Sequence, residues 1–381
     1  MSHNILITGA SGYLGGTLLT RWKEANLPPY NKLYALIRTE EQANAVQTLY
    51  NAEPVQIDLR SDVDIEQAII SRDISIIYYL IDPLEDHPMV RALGTVKQRS
   101  GRGDVHFLFA TGAKIFSSHT GLPADRVLLD TDEELYDLLK DVDGPQPLLV
   151  QAGKRNVQVI DDGASFGVRS YIFAPCIVYG KGQGFGNPIS IQTVAVIRAA
   201  KKMRKIYTVD DSSAVRFIPH KTYCSLFPGI ISPTPPHPPL RYVTSPTDLK
   251  IRIEMADDNT TLFLSILRDI LSGQNLSHGK NGFYLASSGL VKWHDLYRVF
   301  SKRLLERGVI DDDTITPADD AALEEIATVL RRRKSFVPAE IGGRCTFTAA
   351  RGHAIGWKAE HPPEHIFETA GEEVDLVLQH S

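Results

Sequence analysis

Asn4-Ile-Leu-Ile-Thr-Gly-Ala-Ser-Gly-Tyr-Leu-Gly15 sets glycines at 9, 12 and 15 between a short apolar run and an amphipathic segment. Strand, tight turn, then helix is the layout that a dinucleotide requires. Gly9 permits the turn, Gly12 lets the backbone approach a pyrophosphate, and Gly15 lets the helix pack close to the strand. The helix start adds unpaired N–H groups and the positive end of its dipole.

Working outward, strand and helix patterns alternate through the first 180 residues, which predicts an α/β fold with a Rossmann-type, doubly wound parallel sheet. Strands are expected at Ile5–Thr8, Leu33–Arg38, Val55–Ile57, Ile74–Ile81, Val105–Ala110 and Val168–Pro175. Helices are expected at Tyr13–Ala25, Asp64–Ser71, His87–Gln98 and Leu148–Ala164. Ile76-Ile-Tyr-Tyr-Leu-Ile81 is apolar on both faces, as a strand covered on each side should be. The expected organisation is a dinucleotide-binding domain over 1–180, interleaved with later segments, and a smaller mixed substrate lobe over 181–381. In the lobe, Asn281-Gly282 reads as a turn before Phe283-Tyr-Leu-Ala286, and Trp293, Leu296, Tyr297, Phe300 and Leu304 share one helix face.

Pro219 to Pro246 holds eight of the 22 prolines, including Pro233-Thr-Pro-Pro-His-Pro-Pro239. Proline lacks a backbone donor, so about 216–250 reads as an exposed inserted loop.

Composition bounds the function. A formal charge of −5 gives no basic field for nucleic acid or an anionic membrane, and no apolar run approaches the ~20 residues of a membrane span. Strand one begins almost at once, with no basic region or signal core before it. Cys176, Cys224 and Cys345 are too widely spaced for a disulfide framework or a zinc site, so no metal is expected and a cytoplasmic location is the default. Cys176 reads as a small core residue.

The form Thr8-Gly-x-x-Gly-x-x-Gly15 resembles the short-chain dehydrogenase/reductase superfamily, in its extended branch of epimerases, dehydratases and reductases. Ala354-Ile-Gly-Trp-Lys358 resembles the segment that closes the substrate lobe of that branch, and Asp257-Asp258 resembles its acidic helix start. The resemblance implies cofactor contacts from Gly9, Ser11, Gly12, Tyr13, Leu14, Gly15, Arg38, Asp58, Leu59, Lys154 and Pro175. Arg38, at the end of the second strand, would attract a 2′-phosphate and favours NADP, whereas Glu40 two residues on would suit the ribose of NAD.

The resemblance also implies a Tyr-x-x-x-Lys pair on the helix after the fifth strand, with the lysine lowering the phenol pKa. Here that helix reads Leu148-Leu-Val150-Gln-Ala-Gly-Lys154, with Val150 in the tyrosine's place. Catalytic candidates are therefore Lys154, Thr111 and Tyr179, with Lys114 and His119 as substitute donors. Gly182-Gln-Gly-Phe-Gly186-Asn-Pro188 reads as a flexible substrate loop. The expected activity is that of an NAD(P)-dependent oxidoreductase or epimerase-like enzyme on a small hydroxylated or carbonyl metabolite. A non-catalytic dinucleotide-binding regulator, consistent with Val150, is the alternative. Val150 and Val157 are either a homodimer face or plain core.

Overall fold

The computed structural model describes residues 2–81, 88–123, 126–209 and 250–380. The proline-rich stretch, Cys224 and His87 lie outside them.

Seven parallel strands form the central sheet in the order β11-β7-β5-β4-β1-β2-β3. They are β1 (Asn4–Ile7), β2 (Lys32–Leu36), β3 (Glu53–Val55), β4 (Ile74–Tyr79), β5 (His106–Ala110), β7 (Arg169–Pro175) and β11 (Phe283–Ala286). The two-residue β6 (Leu128–Leu129) lies outside this sheet, paired with β14 (Phe347–Thr348). All six residues of β4 are buried, as a central strand with helices on both faces requires.

Helices α1 (Tyr13–Arg21), α2 (Glu40–Tyr50), α3 (Asp62–Ser71), α4 (Met89–Ser100), α5 (Leu135–Lys140) and α6 (Pro147–Phe166) intervene. Each of the six expected strands lies within two residues of its expected position, while β6 and α5 were not expected. Helix α2 was not expected. Its few apolar residues give a weak stripe, yet Thr39 caps it by accepting from the Gln42 N–H, and Glu40 and Glu41 occupy its acidic first turn.

The chain then builds a smaller lobe and returns. Strand β8 (Ile177–Tyr179), helix α7 (Gln192–Met203) and strand β9 (Ile206–Thr208) lead to β10 (Lys250–Met255) and α8 (Ala256–Leu271). Strand β11 follows, pairing with β7 in the main sheet. After it come β12 (Gly289–Lys292), α9 (Trp293–Glu306), β13 (Ile315–Pro317), α10 (Asp320–Leu330) and α11 (Val337–Ile341), and then β14, already given. The chain closes with α12 (Arg351–Ala354), α13 (His365–Glu368) and α14 (Ala370–Gln379). In the lobe β10 lies between β12 and β8, and β13 pairs with β9.

Trp293, Leu296, Tyr297, Phe300 and Leu304 are all buried in the lobe's own core. Val157 is buried in the core against one face of the main sheet and Val150 packs beside it. Cys176 is in that core too. Among the described residues no helix is long and apolar enough to cross a membrane.

Candidate dinucleotide site

The C-terminal ends of the parallel strands place the candidate residues, because the turns leaving β1, β2, β5 and β7 open on one edge of the sheet. Gly9 has φ +67°, in the left-handed region, and a Cβ there would stand 2.8 Å from the Leu80 carbonyl oxygen. A Cβ on Gly15 would overlap the Gly9 carbonyl, so the third glycine serves close helix–strand packing. Gly12 is the N-cap of α1 and no side chain caps that helix, so the N–H groups of its first turn face outward without an intrahelical acceptor.

At the end of β2, Gln42 bridges the turn and that strand. Its Nε2 donates to Ser11 Oγ at 3.2 Å, and its Oε1 accepts from the Arg38 N–H at 2.8 Å. Arg38 is exposed, and no described residue forms an ion pair with it. Asp58 is exposed and accepts from the Arg60 N–H at 3.0 Å, while Leu59 packs against the core. Tyr13 is buried and donates to the Gly180 carbonyl at 2.7 Å; Leu14 lies in the same small apolar cluster.

Residues 182–188, expected to be a flexible loop, lie fixed on α1. Asn187 N–H donates to the Ser11 carbonyl at 3.0 Å, and Gln183 N–H donates to Thr17 Oγ1 at 3.1 Å. Thr20 Oγ1 donates to the Gln183 carbonyl at 3.1 Å, and Phe185 N–H donates to Tyr50 Oη at 3.2 Å. Side chains added at Gly184 or Gly186 would overlap Gly16 or Ser11. These glycines allow backbone-on-backbone contact and are not hinges. Asp257 ties the loop down further, accepting from Arg21 at 2.6 Å and from Gln183 at 3.0 Å. Asp258 instead accepts the Glu360 and His361 N–H groups, holding the Trp357 segment on α8.

At the end of β5, Thr111 donates its N–H to the Phe173 carbonyl, while its Oγ1 is buried and has no hydrogen-bond partner among the described residues. Such a group costs roughly 1–3 kcal/mol unless a ligand meets it. The following segment, 113–120, packs on the first turns of α6. Lys114, in that segment, donates to the Ala339 and Glu340 carbonyls and is bound into the smaller lobe. His119 lies against Gly343, with its Nε2 buried and without a partner among the described residues. Lys154, on α6, is exposed, and Pro175 is buried at the end of β7.

No family model and no curated protein matches the sequence. Solved structures do match, over nearly the whole chain. A dTDP-glucose 4,6-dehydratase from Bacillus anthracis, in complex with NAD, superposes with a TM-score of 0.57 at 10% identity, covering 99% of this chain and 97% of that one. A UDP-glucose 4-epimerase with UDP-glucose from Thermotoga maritima gives 0.56 at 11% identity, covering 99% of each. Vestitone reductase from alfalfa gives 0.53 at 13% identity, covering 99% and 98%. The fold is that of the extended short-chain dehydrogenases/reductases.

Within this extended fold, the position where sequence reading expected a tyrosine carries Val150, packed against the core. A Tyr-x-x-x-Lys spacing does occur at Tyr136–Lys140, which that reading passed over. It lies at the wrong edge. Tyr136 Oη donates to Asp161 at 2.6 Å, seven residues or about 10 Å down α6 from Lys154. Its ring also sits under Lys280, just before β11 begins. The Asp161 carboxylate pushes the phenol up to about 12, away from the range of an acid/base tyrosine.

Tyr179 is buried in the lobe core, with its hydroxyl hydrogen-bonded to His365 Nδ1 at 3.0 Å. The catalytic trio read from sequence is thus spread over three places, with Thr111 just after β5, Lys154 exposed on α6 and Tyr179 packed into the lobe. Sequence reading missed Gln42, which the capping signal at Thr39 would have placed on a helix, and it took the glycines of the 182–188 loop for hinges where they serve packing.

Proposed function

We propose that this chain is a dinucleotide-dependent oxidoreductase or epimerase-like enzyme acting on a small hydroxylated or carbonyl metabolite, with a preference for NADP. The glycine turn carries the reading, because Gly9 makes the turn, Gly15 lets α1 pack close on it, and α1 offers uncapped N–H groups at its start to a pyrophosphate. Arg38, exposed beside the N-terminus of α2, suits a 2′-phosphate. When bound, the nicotinamide supplies a hydride acceptor or donor. Lys154 would hold the nicotinamide ribose, and the Thr111 hydroxyl would hydrogen-bond the substrate oxygen.

The second reading, a regulator that binds the dinucleotide without turnover, is favoured by Val150 together with the engagement of Tyr179 and Lys114 elsewhere. Titration with NADPH and NADH, followed by a screen of carbonyl and hydroxyl substrates for absorbance change at the reduced nicotinamide band, separates the two. The expected result is tighter binding of NADPH, a preference that Arg38→Ala lowers by about tenfold, and turnover of at least one substrate. Binding without turnover supports the regulator, and absence of binding overturns both.

A further inference from the structure

The opposite edge of the main sheet, where the strands begin, carries a cluster that the dinucleotide reading does not use. His3 stands just ahead of β1, Asp104 just ahead of β5, and His106 is the first residue of β5. One ligand atom from each lies within 4.8 Å of the other two. Beside them the pairing of β1 with β4 is irregular. Asn4 is opposite Ile74 but Ile5 is opposite Ile76, so Ser75 is an extra residue in the ladder. Its hydroxyl donates to the Asn4 carbonyl at 3.4 Å and so accepts from His3 Nδ1, 3.0 Å away. In that arrangement His3 carries its proton on Nδ1 and keeps the Nε2 lone pair for a ligand. Tyr171 Oη stands 3.0 Å from His106 Nδ1 and can accept from it, an arrangement that turns the Nε2 lone pair of His106 to a ligand. His106 Nε2 is fully buried, and its near polar neighbour among the described residues is Asp104 Oδ2 at 3.3 Å.

We propose that His3, Asp104 and His106 form a binding site for one divalent transition-metal ion, zinc by ligand chemistry. Two neutral imidazoles and one carboxylate, with a fourth position for water, are a zinc donor set. A hydrogen bond from each ring's second nitrogen is the outer support such ligands require. A tetrahedral ion would hold its donors about 3.3 Å apart, so small rotamer shifts complete the site. Arg169, 3.6 Å from Asp104 Oδ2, orients the carboxylate, while Arg102 is turned to Asp73 and the Ser2 carbonyl. The ion would fasten the start of the chain to β5, two strands away. Sequence spacing gave no sign of it, because His3 and Asp104 are a hundred residues apart.

The test uses the full chain, with no polyhistidine tag and a native N-terminus, stripped with chelator and titrated with zinc and with cobalt(II). The expected result is one equivalent bound, cobalt bands of a four-coordinate ion, and a rise in melting temperature with zinc. Asp104→Asn and His3→Gln should each weaken binding by about tenfold or more, while the exposed control His380→Gln leaves it unchanged. Folding of the variants is checked by near-ultraviolet circular dichroism. No stoichiometric binding to the wild-type chain overturns the proposal whether or not the variants fold. Binding that survives both substitutions, or that His380→Gln also weakens, assigns the metal to other histidines and overturns it equally.

Discussion

Burial pushes the His119 imidazole down to about 4, and the nearby Lys114 ammonium adds to the shift. Between about 4 and the ordinary 6.5, the unfolded chain therefore binds a proton that the folded chain refuses. The sign follows directly: stability falls as the pH drops through that window and is flat with respect to this group above it. His3 and His106 are shifted down as well, so the wild-type slope has several sources. Comparing wild type with His119→Gln isolates one of them. Urea midpoints should show the wild-type chain losing ground to the variant on acidification, and a constant gap across the window would refute the assignment. At this scale the glycine turn was legible in the sequence because its geometry is local. Tyr179 and Lys114 were not, because their partners lie 186 and 225 residues away.

Among the elements, the 182–188 segment shows how a glycine-rich pattern misleads. Flexibility and close approach use the same residue for opposite ends, and only the neighbour reveals which applies. Here the neighbours are Gly16 and Ser11, so the loop joins the smaller lobe to the first turn of α1. Gly184→Ala should lift the loop, since the added methyl overlaps backbone that cannot yield. Overpacking of this kind costs about 1–3 kcal/mol. The readout is limited trypsin digestion at the exposed Lys181, which should accelerate severalfold while global unfolding shifts only modestly. Unchanged cleavage would mean that the loop is already free in solution. Helix α2 was hidden for a related reason. Most of its residues face water, with Val46 and Tyr50 alone buried, so its apolar stripe is short and its cap is the better signal.

For the molecule as a whole, the alternation of strands and helices made the parallel sheet legible, but the return of the chain to that sheet rests on contacts no local pattern encodes. Strand β11 pairs with β7, and α8 covers the sheet face beside it. Phe263 of α8 stacks on Phe173 with ring centres 3.6 Å apart, and its carbonyl accepts from Tyr78 Oη at 3.0 Å. Arg351 and Asp130 lock β11 from the other side, with the Asp130 carboxylate accepting from the Leu285, Ala350 and Arg351 N–H groups. A fragment ending at residue 181 would keep the glycine turn and six of the seven strands, yet expose Phe173 and Tyr171 and leave β7 as an unpaired apolar edge. The expected outcome is a fragment with far-ultraviolet helical and strand signal but no cooperative urea transition, and with a strong tendency to associate. Supplying residues 250–380 as a second chain should restore a sigmoidal transition. A fragment that unfolds cooperatively by itself would instead make the first half an independent domain, with β11 and α8 as additions to a sheet already stable without them.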